Sequence, residues 1–377
     1  MTHDAVALLA DLVAVDSVNP SLVAGAAGEA EAAACVRRWA DAAGLTTEVF
    51  EAHPGRPSVV VRGGAADGGS TLLLCGHLDT VGVGGMTDPF VPRVDGDRLY
   101  GRGAYDMKAG LAAALVACRD AHRAGIAGQV AVAAVADEER ASIGIREVLA
   151  HVRADAAIVT EPTELTVATA HKGFVWMEIE VVGRAAHGSR PHLGVDAILK
   201  AGPILVGLSD RNERLRAHQH PRLGPGTLHG SLITGGLEES TIPDRCVLTF
   251  ERRTLPGETA ADVEREVADL LAHCRRADPD LEVSSRTTLV REPFEVADTS
   301  PIVTTVADAA VTVLGRPSQL AGVSYWADAA FIAAAGIPTV LFGPAGEGAH
   351  AAVEWVSIDS TVACADTLAA VATRFCR

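Results

Sequence analysis

Short apolar runs alternate with helical stretches along most of the chain, and this alternation constrains the fold more strongly than any other feature. Runs that predict β-strands lie at about 46–51, 58–62, 71–75, 130–136, 156–160 and 338–343. Stretches that predict helices lie at about 28–43, 107–123, 142–152, 301–314 and 328–335. Strands that alternate with helices in this way form a mostly parallel sheet with helices on both faces. We therefore predict an α/β fold.

The alternation changes character between about residues 175 and 291. This part of the chain predicts the order β-α-β-β-α-β, at about 175–182, 194–208, 227–234, 245–254, 259–276 and 281–290. That order is the split βαβ, or ferredoxin-like, arrangement. We therefore predict an α+β domain at 175–291, inserted into a larger domain formed by 1–174 and 292–377. Residues 214–226 are interpreted as a mobile loop.

Charge and composition exclude several classes of partner. The formal net charge of -16 argues against binding to nucleic acid or to an anionic membrane surface. No uninterrupted apolar run reaches the ~18 residues of a transmembrane helix. The first residues lack a basic region followed by an apolar stretch, so we expect no signal peptide. The seven cysteines are scattered, which is typical of free thiols in a reducing cytoplasm.

Side chains that commonly bind metal ions follow the strand-like runs at five places: His77, Asp106, the acidic run 137–139, Glu161 and His350. In open α/β sheets, the ligand crevice lies at the carboxyl ends of the strands. Residues far apart in the sequence are therefore expected to converge there. Two imidazoles and three carboxylates suit a pair of ions such as Zn²⁺, or Co²⁺ or Mn²⁺. The leading interpretation is a metal-dependent hydrolase.

Each of these residues also has a simpler explanation. The run 137–139 is typical of a solvated loop, and Asp106 precedes a helix as a capping residue does. His77 and Asp79 are two residues apart, so on an extended segment they share a side. One of them can bind metal while the other accepts the imidazole N–H, or the pair can form a polar turn. The coincidence at five strand ends favours the metal centre.

Five segments carry a resemblance to a known family. They lie at 76–81 (Gly-His-Leu-Asp-Thr-Val), 101–108 (Gly-Arg-Gly-Ala-Tyr-Asp-Met-Lys), 137–139 (Asp-Glu-Glu), 161–163 (Glu-Pro-Thr) and 348–350 (Gly-Ala-His). In this order they resemble the co-catalytic zinc amidohydrolase and metallopeptidase family. That family includes acetylornithine deacetylase, succinyl-diaminopimelate desuccinylase, aminoacylase and glutamate carboxypeptidase. The resemblance covers essentially the whole chain.

The resemblance implies two ion sites that share one carboxylate. Asp106 would bridge both ions, with His77 and Glu161 completing one site and Glu139 and His350 completing the other. Two ions that share a water lower its pKa and polarise the scissile carbonyl.

The resemblance also implies roles for two neighbouring acids. Glu138 would be the general base that takes the proton of the water and returns it to the leaving amine. Asp79 would orient the imidazole of His77.

In the resembled family, the inserted domain is a lid and a dimerisation domain. His187 would reach the active site of the partner subunit and stabilise the oxyanion there. Arg253 matches the lid arginine that grips a substrate carboxylate, a role that suits a guanidinium fork. Arg252 is the alternative, because only one of two successive strand residues faces a given side.

The chain departs from the family pattern at three places. Ser240 stands where many members have an asparagine that helps to hold substrate. Val353 replaces an Asn or Asp, although Glu354 remains. The desuccinylases carry an arginine-containing segment where this chain has Tyr325 and Trp326. These aromatic residues argue against a dianionic succinyl substrate and favour a more apolar pocket.

Three functions remain open at this point. The first is hydrolysis of an N-acyl amino acid by an acetylornithine deacetylase-like deacylase. The second is a dipeptidase or carboxypeptidase, since those substrates also present an amide beside a carboxylate. The third is a non-catalytic binding protein of the same fold, which the presence of Glu138 argues against. A homodimer that forms through the inserted domain is expected.

Overall fold

The computed structural model describes residues 4–65 and 68–377. Residues Met1 to His3, on which the expectation of no signal peptide rests, lie outside this range. Within it, the α-helices are α1 (Asp4–Val13), α2 (Ala30–Ala42), α3 (Ala109–Arg123), α4 (Ile143–His151), α5 (Ala197–Leu215), α6 (Ala260–Ala277), α7 (Pro301–Leu314), α8 (Ala329–Ala334) and α9 (Ile358–Phe375). A π-helical turn, Ala104–Lys108, leads into α3, and a 3-10 turn lies at Pro191–Leu193.

The strands of the described residues are β1 (Thr46–Phe50), β2 (Ser58–Gly64), β3 (Thr71–His77), β4 (Arg93–Asp95), β5 (Arg98–Tyr100), β6 (Gln129–Val135), β7 (Ala156–Val159), β8 (Val167–His171), β9 (Gly173–Val182), β10 (Ala186–His187), β11 (Gln219–His220), β12 (Gly224–Pro225), β13 (Thr227–Gly235), β14 (Thr241–Ile242), β15 (Arg245–Thr254), β16 (Glu282–Arg291), β17 (Phe294–Glu295), β18 (Leu320–Val323), β19 (Thr339–Leu341), β20 (Gly346–Glu347) and β21 (Trp355–Ser357).

Contacts between residues divide the chain into two compact units. The first unit comprises Met1–Thr169, Val296–Ala321 and Ala327–Arg377. The second comprises Ala170–Glu295 and Gly322–Trp326. The second unit therefore includes the short segment with Tyr325 and Trp326, which the sequence prediction had assigned to the larger domain.

The first unit is built on a sheet with the strand order β1-β2-β6-β3-β7-β19-β8. Its central strands β6, β3, β7 and β19 are parallel. Strands β1 and β2 join one edge and β8 the other in antiparallel pairs. A short connection between β1 and β2 permits an antiparallel hairpin, whereas parallel neighbours need longer crossovers. The predicted α/β class is confirmed, with the parallel pairing concentrated at the centre.

Helices cover both faces of this sheet. Helices α1, α3, α7 and α9 bury their apolar residues with Leu72 and Leu74 of β3 in one core cluster. Helices α4 and α8 contact each other; α4 also contacts β6, and α8 also contacts β7. Helix α3 approaches the sheet closely at Gly110, where an added Cβ would lie 1.8 Å from the carbonyl oxygen of Thr160. Only glycine fits there, and this close approach brings the turn that carries Asp106 beside Glu161.

The second unit has the antiparallel sheet order β13-β15-β9-β16, with α5 and α6 packed on one face. The main elements follow the predicted order β-α-β-β-α-β. Along β9, alternate residues from Val175 to Val181 enter the core with the helices, while Phe174 and Trp176 lie on the other face. This alternation is the period of two that a half-buried strand requires.

Two parts of the structure differ from the sequence prediction. Helix α5 continues to Leu215, beyond the predicted end at 208, although it contains Pro203. The predicted loop 214–226 contains the antiparallel pair β11 and β12 and is held by a hydrogen bond from Lys172 Nζ to the carbonyl oxygen of Pro225. Across residues 4–65 and 68–377, no helix combines the length and apolar character needed to cross a bilayer.

Candidate metal centre

The predicted metal ligands lie in the first unit, around the carboxyl ends of its central strands. His77 is the last residue of β3, Glu139 follows β6, and Glu161 follows β7. Asp106 lies in the π-helical turn before α3, and His350 lies in the loop between β20 and β21. The sheet therefore brings together side chains that are far apart in the sequence.

Asp106 lies between two imidazole rings. Its Oδ1 is 3.2 Å from Nε2 of His77, and its Oδ2 is 3.3 Å from Nε2 of His350. Nε2 of His77 is also 3.7 Å from Oε1 of Glu161, and Nε2 of His350 is 3.2 Å from Oε2 of Glu139. The ligand atoms thus form two sets that share Asp106, each with one imidazole and one further carboxylate.

The orientation of His77 is fixed by a backbone carbonyl. Its Nδ1 lies 2.8 Å from the carbonyl oxygen of Asp79, so Nδ1 donates a proton there and the Nε2 lone pair faces the carboxylates. The Asp79 carboxylate is farther away, 3.7 Å from Nδ1. That carboxylate instead accepts hydrogen bonds from the backbone N–H groups of Glu138 and Glu139, at 3.1 and 3.2 Å. Asp79 therefore connects the His77 segment to the acidic run.

The pKa values of these groups reflect crowded, buried charge. Burial, assisted by neighbouring carboxylates, raises the pKa of Glu138 and of Glu161 well above the usual range. Burial opposes the charged form of His77, but the hydrogen bond to Asp106 and nearby carboxylates raise its pKa well above normal. Hydrogen bonds to Asp106 and Glu139 raise the pKa of His350 to about 10. The raised pKa values of the two glutamates show carboxylates that lack compensating positive charge, and the raised pKa values of the two histidines show imidazoles that face an excess of negative charge.

The side chains fit a pair of divalent ions. The ligand atoms of His77, Asp106 and Glu139 lie within 4.8 Å of one another, as do those of His77, Glu138 and Glu161. Oε1 of Glu139 is buried and has no hydrogen-bond partner among the described residues. A bound cation would satisfy that oxygen. Imidazole and carboxylate donors without thiolate suit Zn²⁺, Co²⁺ or Mn²⁺.

Glu354 holds the turn that carries Asp106. Its buried carboxylate accepts hydrogen bonds from the backbone N–H groups of Gly103, Tyr105 and Asp106, at 2.9 to 3.0 Å. It also pairs with the buried guanidinium of Arg102 at 2.7 Å. The position of the shared carboxylate thus depends on a residue near the C-terminal histidine.

The second unit holds the residues predicted to contact substrate. His187 is exposed, and its Nδ1 is 2.9 Å from the hydroxyl of Ser189. The backbone N–H of Gly188 donates to the carbonyl oxygen of Ser240 at 2.7 Å. His187, the last residue of β10, and Ser240, which precedes β14, therefore lie on adjoining exposed segments. The hydroxyl of Ser240 donates to the carboxylate of Glu238.

The two neighbouring arginines of β15 face opposite sides. Arg252 is fully buried, and its guanidinium is bonded to Glu258. Arg253 is about a third exposed and donates from Nε to Glu251 at 2.6 Å. Of the two candidates for binding a substrate carboxylate, Arg253 is the one whose guanidinium reaches solvent.

One aromatic ring lies against Arg253, and a second ring packs on the first. Its guanidinium carbon lies 5.0 Å from the ring centre of Phe174. Trp326 meets Phe174 edge-on, with the ring centres 6.4 Å apart, and donates its indole N–H to the carbonyl oxygen of Glu292. Tyr325 precedes it and is half-buried. The second unit therefore carries a partly exposed aromatic surface, formed by Phe174 and Trp326, beside the partly exposed guanidinium of Arg253.

Sequence reasoning missed three polar residues next to the acidic run: the buried Asn19 and Glu29, and the half-buried Arg56. Arg56 pairs with Glu29 at 2.6 Å and with Asp137 at 2.8 Å. Asn19 precedes a proline and has the pattern of an ordinary turn, and Glu29 precedes an Ala-rich helix. Neither pattern signals burial. Phe174, within a strand of ordinary alternation, was missed for the same reason.

Known proteins resemble this chain in sequence and in structure. Residues 73–374 match Peptidase family M20/M25/M40. A protein named acetylornithine deacetylase from Aliivibrio salmonicida is 29% identical over 93% of this chain and 94% of its own length. One of the same name from Proteus mirabilis is 31% identical over 85% of this chain and 83% of its own. The structure of the aminopeptidase PepT from Bacillus cereus superimposes with a TM-score of 0.81 at 20% identity, covering 99% and 98% of the two chains.

The matched family range includes every residue of the two ligand sets, and the resemblance drawn from the motifs is confirmed. The chain is a metal-dependent hydrolase that belongs to Peptidase family M20/M25/M40.

Proposed function

We propose that the protein hydrolyses the amide bond of N-acyl amino acids, as an acetylornithine deacetylase-like deacylase. The observation that carries the proposal is the Asp106 carboxylate shared between His77 and His350, with the Glu138 carboxylate in the same cluster. The names of the two relatives support deacylation.

In this proposal, His77, Asp106 and Glu161 hold one ion, and Asp106, Glu139 and His350 hold the other. Zn²⁺ is the preferred ion, with Co²⁺ or Mn²⁺ as alternatives. Bound divalent ions supply Lewis acidity toward the scissile carbonyl and toward the attacking water.

Glu138 performs the proton transfers in the proposed reaction. Its carboxylate takes a proton from the attacking water and delivers it to the nitrogen of the leaving amine. In the metal-free protein, burial raises the pKa of Glu138. That direction suits a carboxylate that accepts a proton from water and passes it to the amine nitrogen as the amine departs. Its backbone N–H is held by Asp79, so the segment that carries the base is fixed in place.

Arg253 is proposed to bind the substrate carboxylate, and Phe174 and Trp326 to contact an apolar part of the substrate. The guanidinium beside the Phe174 ring combines charge with an apolar surface. Tyr325 and Ser240 complete the proposed contacts, and His187 is proposed to stabilise the oxyanion. These contacts favour N-acyl amino acids with an apolar acyl group or side chain over a succinyl substrate.

A dipeptidase or carboxypeptidase remains the alternative function. Dipeptides also present an amide near a carboxylate, and the same ligands, base and Arg253 would serve them. The aminopeptidase with a similar fold supports the fold alone. Relative rates on the two substrate classes decide between them.

We also propose a homodimer that forms through the second unit, with His187 acting in the active site of the partner. Strand β13 ends the order of its sheet, so one of its edges is open to pairing. Leu232 and Ile233 on this strand are 66% and 58% exposed, and Leu237 beyond it is 97% exposed. An open edge with exposed apolar residues is typical of a surface that associates.

The cytoplasm is the proposed location. All seven cysteines, which lie within the described residues, are unpaired, and most of them are buried. Unpaired, buried thiols suit a reducing compartment.

Two measurements test the proposed function. The first compares kcat/KM of the Zn²⁺-loaded enzyme for N-acetyl-ornithine, apolar N-acyl amino acids, succinyl-diaminopimelate and dipeptides. A deacylase favours the apolar N-acyl amino acids, whereas faster cleavage of dipeptides supports the alternative and faster cleavage of the succinyl compound excludes the apolar pocket.

The second measurement uses Glu138→Gln, which preserves size and removes the base. We expect kcat to fall about 10²- to 10⁴-fold, the usual contribution of general-base catalysis. Zinc content, determined by mass spectrometry, should remain at the wild-type value, because Glu138 is not a ligand in the proposal. Unchanged turnover excludes Glu138 as the base, and lost zinc identifies it as a ligand.

A further inference from the structure

A group of buried and half-buried polar residues includes Asp137, the first residue of the acidic run, and contains none of the five proposed metal ligands. Its members, named here the Arg56 network, are Asn19, Glu29, Arg56, Asp79 and Asp137. They come from separate segments, and they meet at the residue that directly precedes Glu138.

The first connection is a two-point ion pair. Arg56 donates from Nε to Oε2 and from Nη2 to Oε1 of Glu29, both at 2.6 Å. Nη2 also donates to Oδ1 of Asp137 at 2.8 Å. Oε1 of Glu29 in turn accepts the backbone N–H of Asp137 at 3.2 Å. The Arg56–Glu29 pair therefore holds Asp137 by both its side chain and its backbone.

The second connection is the amide of Asn19, which is fully buried. Its Nδ2 donates to Oδ2 of Asp79 at 2.7 Å and to Oδ1 of Asp137 at 2.9 Å. Its Oδ1 accepts from Nη2 of Arg56 at 3.2 Å. Asn19 thereby fixes the distance between Asp79, beside His77, and Asp137, beside Glu138.

The backbone of the acidic run requires such support. Asp137 has a φ of 66°, in the left-handed region that residues other than glycine rarely adopt. The next two residues, Glu138 and Glu139, donate their N–H groups to Asp79. The Arg56 network thus holds the residue before the acidic pair, and Asp79 holds the pair itself.

Charge and shape both make Arg56 hard to replace. The network contains three carboxylates, those of Glu29, Asp79 and Asp137, and its one cation is Arg56. The Arg56 side chain is only 12% exposed, so solvent does little to replace its charge. The guanidinium bonds Glu29, Asp137 and Asn19 from a planar fork. A lysine ammonium keeps the charge but lacks that fork.

We propose that Arg56 and Asn19 are positioning residues, which set the orientation of Glu138 as base and of Glu139 as metal ligand. The roles of Glu138 and Glu139 rest on the proposed function. The positioning itself concerns the geometry of the segment and is measured through metal binding as well as through turnover.

The test compares two pairs of variants in the full-length chain. Arg56→Lys is matched with Arg119→Lys, whose guanidinium pairs with Asp4 and Asp120 away from the acidic run. Asn19→Ala is matched with Asn212→Ala, whose side chain accepts the backbone N–H of Leu228 in the second unit. For each variant we would measure kcat, KM, the melting temperature and the Co²⁺ dissociation constant by titration of the metal-free protein.

We expect Arg56→Lys and Asn19→Ala to lower kcat and to weaken Co²⁺ binding by about 10- to 100-fold, as groups behind metal ligands usually do. KM should change by less than about twofold, because substrate contacts are untouched. The matched variants should keep kcat and Co²⁺ affinity within about twofold of wild type.

A purely structural role predicts another result: lower melting temperatures, with kcat and Co²⁺ affinity of the folded protein unchanged. That result overturns the proposal. If Arg56→Lys does not fold, the kcat and Co²⁺ affinity of Asn19→Ala decide between the positioning role and the purely structural role. Wild-type protein without amidohydrolase activity would contradict the proposed function, while the Co²⁺ affinities would still decide whether the network positions Glu139.

Discussion

Glu354 illustrates how a single residue that binds no ion in the proposed mechanism can control the metal centre. Its carboxylate is buried and bonded to three backbone N–H groups of the Asp106 turn and to Arg102. Burial raises the pKa of Glu354, whereas these hydrogen bonds and the Arg102 guanidinium lower it, so the bonds offset part of the cost of burying the charge. The position of the Asp106 turn therefore depends on the position of the Glu354 carboxylate.

We predict that Glu354→Gln destabilises the metal-free protein by about 3 to 5 kcal/mol, because it leaves the buried Arg102 guanidinium without its partner charge. Urea unfolding of metal-free protein measures this loss. Glu347→Gln, an exposed carboxylate nearby, is the control and should change stability by less than about 0.5 kcal/mol.

Adding Arg102→Met to Glu354→Gln should restore part of the lost stability, since it removes the unpaired charge. If the double variant is as unstable as the sum of the two single variants, the charge pair is not the cause.

The metal ligands were predictable at the residue scale, whereas their supports were not. His77, Glu139 and Glu161 follow apolar strands, so the rule that strand ends meet was sufficient to group them. Arg56 and Glu29 are 27 residues apart in the sequence, and neither helical nor strand periodicity links residues at that distance. Nothing in the local sequence distinguishes an arginine paired in the interior from one in solvent, so the Arg56 network is visible only in the folded structure.

At the scale of elements, β13 is an end strand of its sheet that carries exposed apolar residues. It pairs with β15 on one side and carries the exposed Leu232 and Ile233. Pairing with a second copy would cover this edge.

We predict that the wild-type protein sediments at twice its chain mass of 38.9 kDa, and that Leu232→Lys shifts it toward the monomer by placing a charge on the associating edge. The monomer should lose activity if His187 acts in the partner's site. Val91→Lys, at a 62% exposed position of the first unit, is the control and should remain dimeric. A monomeric wild type with full activity would exclude both the dimer and the role of His187 in it.

Element types were easier to predict than their ends and partners. The predicted helix at 107–123 begins in the structure as a π-helical turn at Ala104 and becomes α3 at Ala109, because Asp106 adopts non-helical backbone angles inside that turn. The sheet order β20-β21-β5-β4 was not predicted, since its strands are two or three residues long, too short for a period of two to be recognised in the sequence.

At the scale of the whole molecule, stability and metal content are predicted to be linked. The first unit holds the carboxylates of Asp106, Glu138, Glu139 and Glu161 near one another and largely shielded from solvent, and bound cations would offset their repulsion. A ligand present at about 1,000 times its Kd stabilises the folded state by about 4 kcal/mol per site.

We therefore expect chelation of the metal to lower the melting temperature by roughly 10 °C, and added Zn²⁺ to restore it. Differential scanning calorimetry measures the shift. Mg²⁺ is the control, and it should restore little, because it prefers an octahedral shell of oxygen ligands and keeps its waters. An equal melting temperature with and without Zn²⁺ would show that the buried carboxylates do not need a cation.

The sharing of Asp106 has a consequence for the order of events during synthesis. His77, Asp106 and Glu161 all precede the second unit in the chain, whereas His350 follows it. Under the proposed assignment, a nascent chain that does not yet include His350 contains all three ligands of the ion bound by His77, Asp106 and Glu161. It lacks one ligand of the ion bound by Asp106, Glu139 and His350. Because Glu354, which holds the Asp106 turn, also follows the second unit in the chain, neither ion site is held in place until the segment from His350 to Glu354 has emerged.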